Sequence, residues 1–125
     1  MPLILVVEDD VEMNELQREL LSLHGMESLP AYSGSQALEL CEQHPIDAVL
    51  LDIMLPEMDG FETCRLFRQR QTERRLPVIM LTALDSDDCR RRGAACGADA
   101  YFVKPFDPDE VVRTLQTLIA ETKGE

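Results

Sequence analysis

Reactive side chains follow four separate apolar segments of the sequence. The first segment is followed by two carboxylates, the second by one, the third by a hydroxyl and the fourth by an ammonium group: Glu8 and Asp9, Asp52, Thr82, and Lys104. Clustered carboxylates repel one another unless a cation joins them, and an all-oxygen site suits Mg²⁺ better than zinc. If the fold brings the four segments together, these residues could form a magnesium site with a lysine beside it.

Asp52 is the residue around which these segments are organised. The four residues before it, Ala48 to Leu51, are apolar without alternation, which indicates a strand buried on both faces. An aspartate at the end of such a strand is costly to bury unless it is paired. The alternative is that Asp52 simply begins a turn.

Apolar strands alternate with helical segments along the whole sequence. The predicted strands cover residues 3–7, 27–32, 46–53, 76–83 and 100–103. Pro30 places the second of them at a sheet edge. This alternation predicts an α/β fold, in which residues 1–125 form one domain with a single doubly wound, five-stranded parallel sheet and helices on both faces.

Caps and apolar stripes mark the predicted helices. The first helix is expected to bury the residues that recur at helical spacing: Met13, Leu16, Leu20 and Leu23. The fourth helix has the weakest pattern, and either Asp85 or Ser86 could cap it. The arginines in and after the third helix are interpreted as its solvated end: Arg65, Arg68, Arg70, Arg74 and Arg75.

Composition excludes several classes of function. The 125 residues carry a net charge of −12, so the domain should be repelled by phosphate backbones and is predicted not to bind nucleic acid directly. No apolar run is long enough to span a bilayer, and no signal peptide is visible, so a cytoplasmic location is expected. The four cysteines form no CxxC pair and are interpreted as reduced thiols.

The polar strand ends are expected to converge. Ligands of open α/β sheets bind beyond the carboxyl ends of the strands, where the winding reverses. With strand order 2-1-3-4-5 that point lies between the first and third strands, so Glu8, Asp9 and Asp52 would face one another. At about 4 Å and an effective dielectric near 20, each pair of carboxylates repels by about 4 kcal/mol, which Mg²⁺ would relieve.

Plainer interpretations of these residues stay open at this point. The acidic residues after the first strand could only cap the first helix. Lys104 could form a salt bridge to Asp52 with no further chemistry. Thr82 could be an ordinary strand residue, because threonine favours strands.

Four motifs carry a resemblance to a known family: Ile4 to Asp9, Leu51 to Pro56 with Met58 to Gly60, Leu81 to Ala83, and Gly97 to Phe106. With them the sequence closely resembles the response-regulator receiver domains of bacterial two-component signalling, over essentially its whole length. The resemblance implies a flavodoxin-like (βα)5 fold, and the predicted strand order rests partly on it.

The resemblance implies a phosphoryl acceptor and a metal site. Asp52 would accept a phosphoryl group from a phosphohistidine on a sensor histidine kinase or phosphotransfer protein. Mg²⁺ would be held by Asp9, Asp52 and the backbone carbonyl of Met54, with Glu8 acting through water. Glu8 stands where an aspartate is commoner in the family, which lengthens the reach to the metal-bound water.

The resemblance also implies a switch. Lys104 would neutralise phosphoryl oxygens, Thr82 would move to bond one of them, and Tyr101 would then turn inward. The face made by the fourth helix, fifth strand and fifth helix would bind an output partner, an effector domain or a second copy of the chain. The Lys104–Pro105 peptide bond is expected to be cis.

Two rival functions and one departure accompany this interpretation. An aspartate-nucleophile phosphatase would need a second carboxylate two residues after Asp52, where Met54 stands. A receiver-like scaffold that is no longer phosphorylated is the other rival.

Met54 and Leu84 are apolar where some relatives place polar groups that aim the hydrolytic water, which predicts slow self-dephosphorylation. No separate substrate is expected, so the chain would catalyse only its own phosphorylation and dephosphorylation.

Overall fold

Five short strands form one parallel sheet. The computed structural model describes residues 1–70, 75–83 and 86–122. Its strands are β1 Leu3–Val7, β2 Glu27–Ala31, β3 Ala48–Leu51, β4 Val78–Thr82 and β5 Ala100–Val103. Their order is β2-β1-β3-β4-β5 with every neighbouring pair parallel, which confirms the predicted topology and the edge position of β2.

The helices connect these strands across both faces of the sheet. They are α1 Val11–Leu23, α2 Gly34–Gln43, α3 Gly60–Arg70, α4 Asp87–Ala95 and α5 Pro108–Thr122. Ser86 caps α4, because its hydroxyl accepts a hydrogen bond from the Cys89 amide at 3.1 Å. Asp85, the other candidate cap, lies outside the described residues.

Alternate residues of the central strands enter two separate core layers. Leu5, Val49 and Met80 point toward α2 and α3 and pack there with Phe61 and Phe67. The other set points toward α1 and α5: Ile4, Val6, Leu50, Ile79 and Leu81, with Leu21 and Leu115. Because both faces of the sheet are covered, β1, β3 and β4 are apolar at nearly every position. Among the described residues, no helix combines the length and apolarity needed to cross a membrane.

The predicted buried face of α1 is only partly confirmed, because Met13 and Leu20 are partly buried but Leu16 and Leu23 are exposed. The side chains that α1 buries are Asn14, Gln17 and Leu21, whereas Leu16 is 50% exposed and Leu23 is 81% exposed. Asn14 faces inward because its amide donates hydrogen bonds to three backbone carbonyls, those of Val6, Glu8 and Ala31, at 3.1–3.2 Å. A buried polar residue with all its bonds made is stable, but apolar periodicity cannot reveal it.

The arginine cluster is only partly a solvated helix end. Arg65 and Arg70 form exposed pairs with Glu62 and Glu42. Arg68 instead turns inward, where its guanidinium donates to the Asp99 carboxylate at 3.0 Å and to the Gly97 carbonyl. Arg74 lies outside the described residues.

Asp99 joins three elements at the far end of the sheet. Its carboxylate, with the side chain only 8% exposed, accepts from Arg68, from Arg75 and from the Val78 amide at the start of β4. A network of this kind fixes the starts of β4 and β5 against the end of α3. Removing its acceptor would leave the Arg68 charge buried without its carboxylate.

We therefore expect Asp99→Ala to lower the free energy of unfolding by about 3 kcal/mol. Glu42→Ala, which breaks the exposed pair with Arg70, should change it by less than about 0.5 kcal/mol. Urea unfolding of both variants beside the parent protein measures the difference. Equal effects in the two variants would contradict a structural role for Asp99.

Candidate functional site

Three carboxylates meet where β1 and β3 end. Val7 pairs with Leu51 in the sheet, so the residues that follow leave neighbouring strands at the same level. The Asp52 amide donates to the Val7 carbonyl at 3.0 Å. One carboxylate oxygen from each of Glu8, Asp9 and Asp52 lies within 4.8 Å of the others. The structure thus brings together the three acidic residues that the sequence singled out.

The cluster is buried on one side and open on the other. Glu8 and Asp52 are 3% and 8% exposed, whereas Asp9 is exposed. Partial burial raises the pKa of the Asp9 carboxyl, and the hydrogen bond and negative charge of Glu8 raise it further. A cation bound among the three carboxylates would relieve the repulsion between them.

Lys104 reaches into the cluster from the end of β5. Its ammonium lies 2.7 Å from the Glu8 carboxylate and 3.2 Å from that of Asp52. Burial lowers the pKa of Lys104, but the two carboxylates outweigh burial and raise it, so the side chain is charged. The salt bridge to Asp52 considered from the sequence is present, and it includes Glu8 as well.

Thr82 and Tyr101 lie on the neighbouring strands β4 and β5. Thr82 is fully buried at the end of β4, and its carbonyl accepts from the Lys104 amide at 2.8 Å. Tyr101 is half-buried, with the Arg90 guanidinium 5.0 Å from the centre of its ring. The Lys104–Pro105 peptide bond is cis, as expected.

The loop after β3 wraps around Asp52. The Met54 amide donates to the Asp52 carboxylate at 3.0 Å, while the Met54 side chain is 57% exposed. The loop closes at Gly60, whose amide donates to the Ile53 carbonyl at 2.8 Å. Leu84, the other apolar residue noted beside the predicted site, lies outside the described residues.

Gly60 is needed because α3 begins against the backbone of Asp52. A β-carbon at position 60 would lie 2.5 Å from the Asp52 carbonyl oxygen and 2.6 Å from the Ile53 α-carbon. Backbone atoms cannot move aside as the end of a flexible side chain can. The packing of α3 therefore fixes the position of the Asp52 loop.

We expect Gly60→Ala to lower the free energy of unfolding by about 2 kcal/mol, because overpacking forces the backbone apart. The amide resonances of the loop from Asp52 to Met54 should shift with it in NMR spectra. Gly25→Ala is a useful comparison, since nothing lies within 4 Å of that position and only its positive φ of 76° is strained. Unchanged loop resonances in Gly60→Ala would contradict this packing.

Sequence reasoning missed two residues that support the site. Asn14 holds the carbonyl of Glu8, and Gly60 sets the loop that carries Asp52. For Asn14 the sequence offers no signal, because an asparagine in a helix is usually read as surface. For Gly60 the signal was its place in the motif from Met58 to Gly60, to which no role was attached.

The arrangement is suited to binding a divalent cation and to neutralising an added anionic group. Carboxylate oxygens facing one another at an open edge suit a hard divalent cation. The nearby lysine ammonium, held by two of these carboxylates, can neutralise an added anionic group. Glu8 and Asp52 are both buried, and each of them accepts a hydrogen bond on both carboxylate oxygens.

Known proteins are similar to this chain in both sequence and fold. The family described as response regulator receiver domain matches residues 4–116. The response regulator MprA of Mycobacterium avium is 40% identical over 122 residues, which cover 98% of this chain and 53% of MprA. The chain therefore spans about half the length of the curated relatives it matches.

Solved receiver structures superimpose closely on this fold. The receiver domain of the Francisella response regulator 1452 has a TM-score of 0.89 at 30% identity, covering 98% of this chain and 99% of that one. The BeF3-activated N-terminal receiver domain of Klebsiella pneumoniae RstA has a TM-score of 0.86 at 34% identity, covering 94% and 97%. The chain belongs to the response regulator receiver domain family of two-component signalling.

Proposed function

We propose that Asp52 accepts a phosphoryl group from a phosphohistidine of a sensor histidine kinase or phosphotransfer protein. One observation carries the proposal: a buried carboxylate at a strand end has two acidic neighbours within 4.8 Å and a lysine ammonium at 3.2 Å. An oxygen of Asp52 attacks phosphorus, the bond from phosphorus to the histidine nitrogen breaks, and an acyl phosphate forms.

The residues present fit a magnesium ion. Asp9, Asp52 and the backbone carbonyl of Met54 would hold it, with Glu8 acting through water, and the donors are all oxygen. When bound, the ion neutralises charge on the phosphoryl oxygens. Lys104 supplies a second positive charge from the end of β5, so the chain contributes positioning and charge rather than an acid or base.

The phosphoryl group would act as a switch through its charge. It adds about −1.5 to −2 charges and three acceptor oxygens beside Lys104. The buried Thr82 hydroxyl would move to bond one of these oxygens, and Tyr101 would turn inward behind it. The face formed by α4, β5 and α5 would then bind an output partner or a second copy of the chain, given a bias of a few kcal/mol.

The proposal also covers the domain organisation of the chain, its location and its output. Residues 1–125 would form one receiver domain with no separate substrate, so that it catalyses only its own phosphorylation and dephosphorylation. Four free thiols suit a reducing compartment, which supports a cytoplasmic location. The net charge of −12 supports an output that does not use direct nucleic-acid binding by this domain.

Labelling with a small phosphodonor tests the proposal. With acetyl phosphate and Mg²⁺, intact mass spectrometry should show one added phosphoryl group per chain. Chelation of Mg²⁺ with EDTA should prevent the addition. Steady hydrolysis of phosphate esters would favour the phosphatase alternative, and no mass gain at all would favour a scaffold that is not phosphorylated.

The acyl phosphate is expected to be long-lived. Met54 offers no polar group to aim a hydrolytic water at the site, so we expect a half-life of minutes or longer with Mg²⁺ and no phosphatase. Met54→Glu, which adds a carboxylate at that exposed position, should shorten it several-fold. Decay of the phosphorylated mass after removal of the donor measures both, and a half-life of seconds in the parent protein would contradict the expectation.

A further inference from the structure

Two of the four cysteines lie against each other between α3 and α4. Cys64 belongs to α3, and Cys96 is the residue at which α4 ends. The Cys64 thiol donates a hydrogen bond to the Cys96 carbonyl oxygen at 3.4 Å, so the two residues are in direct contact. The Cys96 thiol donates to the Gly93 carbonyl at 3.2 Å. Cysteines in contact across two separate helices are candidates for a disulfide.

Access to the two sulfurs is unequal. Cys64 has no exposed surface, whereas Cys96 is partly exposed and lines a groove of about 710 Å³ between α3 and α4. Three arginines line the same groove: Arg65, Arg68 and Arg92. A small oxidant that enters the groove therefore meets Cys96 before it can meet Cys64.

Reactivity follows the same order as access. Interaction with the Cys64 side chain lowers the pKa of Cys96 more than burial raises it, and the charge of Arg68 lowers it further. The same interaction, together with burial, raises the pKa of Cys64. By contrast, burial raises the pKa of Cys41 to about 12. Cys96 is thus the thiol most readily ionised of these three.

We propose that Cys96 is the site of attack on hydrogen peroxide and that Cys64 then closes an intramolecular disulfide with it. The Cys96 thiolate forms a bond to one peroxide oxygen, the O–O bond breaks, and the hydroxide that leaves takes up a proton. The Cys64 sulfur then bonds to the Cys96 sulfur, and the hydroxyl leaves as water with the Cys64 proton. In total, the two thiols lose two electrons and form one disulfide, while one hydrogen peroxide is reduced to two waters.

The bond would tie the end of α4 to α3. It closes a loop that contains β4 and α4, which restrains the element that the proposed function places on the output face. This consequence rests on the proposed function, whereas formation of the disulfide does not. Amide hydrogen exchange in α4 should slow several-fold in the oxidised protein, with or without phosphorylation of Asp52.

Peptide mapping after exposure to hydrogen peroxide tests the inference without a phosphodonor. We expect loss of two of the four free thiols and a peptide pair joined through Cys64 and Cys96. The link should vanish in Cys96→Ser and Cys64→Ser and persist in Cys41→Ser and Cys89→Ser. Before oxidation, iodoacetamide should alkylate Cys96 at least about tenfold faster than Cys41.

Because Cys64→Ser could fail to fold, the mapping in the parent protein decides the matter by itself. A disulfide that involves Cys41 or Cys89, a bond between two chains, or oxidation of Cys96 to sulfinic acid without a link would overturn the inference. So would thiols that stay fully reduced. Reversal of the link by dithiothreitol, with recovery of the starting mass, would support it.

Discussion

Asp52→Asn is expected to lower the rate of phosphorylation by acetyl phosphate at least about 1,000-fold. The amide that replaces the carboxylate is a far weaker nucleophile and also a poorer ligand for a cation. It has nearly the same shape, and it can still accept a hydrogen bond from the Met54 amide. The change therefore removes the chemistry with little effect on packing.

Asp10→Asn is the matched control for this substitution. Asp10 carries a charge next to the acidic cluster, but its role is to cap α1, where it accepts from the Met13 amide at 3.1 Å. Asparagine caps a helix as well as aspartate does, so stability should hold. We expect labelling within about twofold of the parent rate in Asp10→Asn, and an equal loss in both variants would show that general charge, not position 52, controls labelling.

Lys104→Met is expected to lower the free energy of unfolding by about 3–4 kcal/mol in the absence of divalent cations. The ammonium is the positive charge that contacts both Glu8 and Asp52, whose side chains are 4% and 10% exposed. Without it these buried carboxylates repel each other. Urea unfolding in EDTA measures the loss.

The same variant should bind Mg²⁺ at least about tenfold more tightly, because the competing ammonium is gone. Saturating Mg²⁺ should then restore about 2–3 kcal/mol of its stability. Lys104→Arg keeps the charge and should show neither effect in full. A Lys104→Met protein that is fully stable in EDTA, or that binds Mg²⁺ more weakly, would contradict this view of the cluster.

Most of the fold could be predicted because its signals are local. Continuous apolar strands, Pro30 in an edge strand and the cap at Ser86 each reflect chemistry within a few residues. The convergence of Glu8, Asp9 and Asp52 could be predicted too, since parallel strands deliver their carboxyl ends to one edge. Whether these residues perform the roles expected of them stays a prediction.

The features that could not be predicted depend on contacts between distant segments. Asn14 is buried because its amide donates hydrogen bonds to backbone carbonyls of two strands. Arg68 turns inward because its guanidinium donates to the carboxylate of Asp99, which lies far along the chain. The contact between Cys64 and Cys96 has the same origin, since 32 residues separate them. Residue type alone assigns such side chains to the surface or to an ordinary core.

Reduction of the phosphorylated protein with borohydride tests the central claim most directly. Borohydride converts an aspartyl phosphate to homoserine, and peptide sequencing by mass spectrometry then locates it. After incubation with acetyl phosphate and Mg²⁺, we expect homoserine at position 52 alone, and none when Mg²⁺ is withheld. Homoserine at position 9 or at any other carboxylate, or its absence from every peptide, would contradict Asp52 as the phosphoryl acceptor.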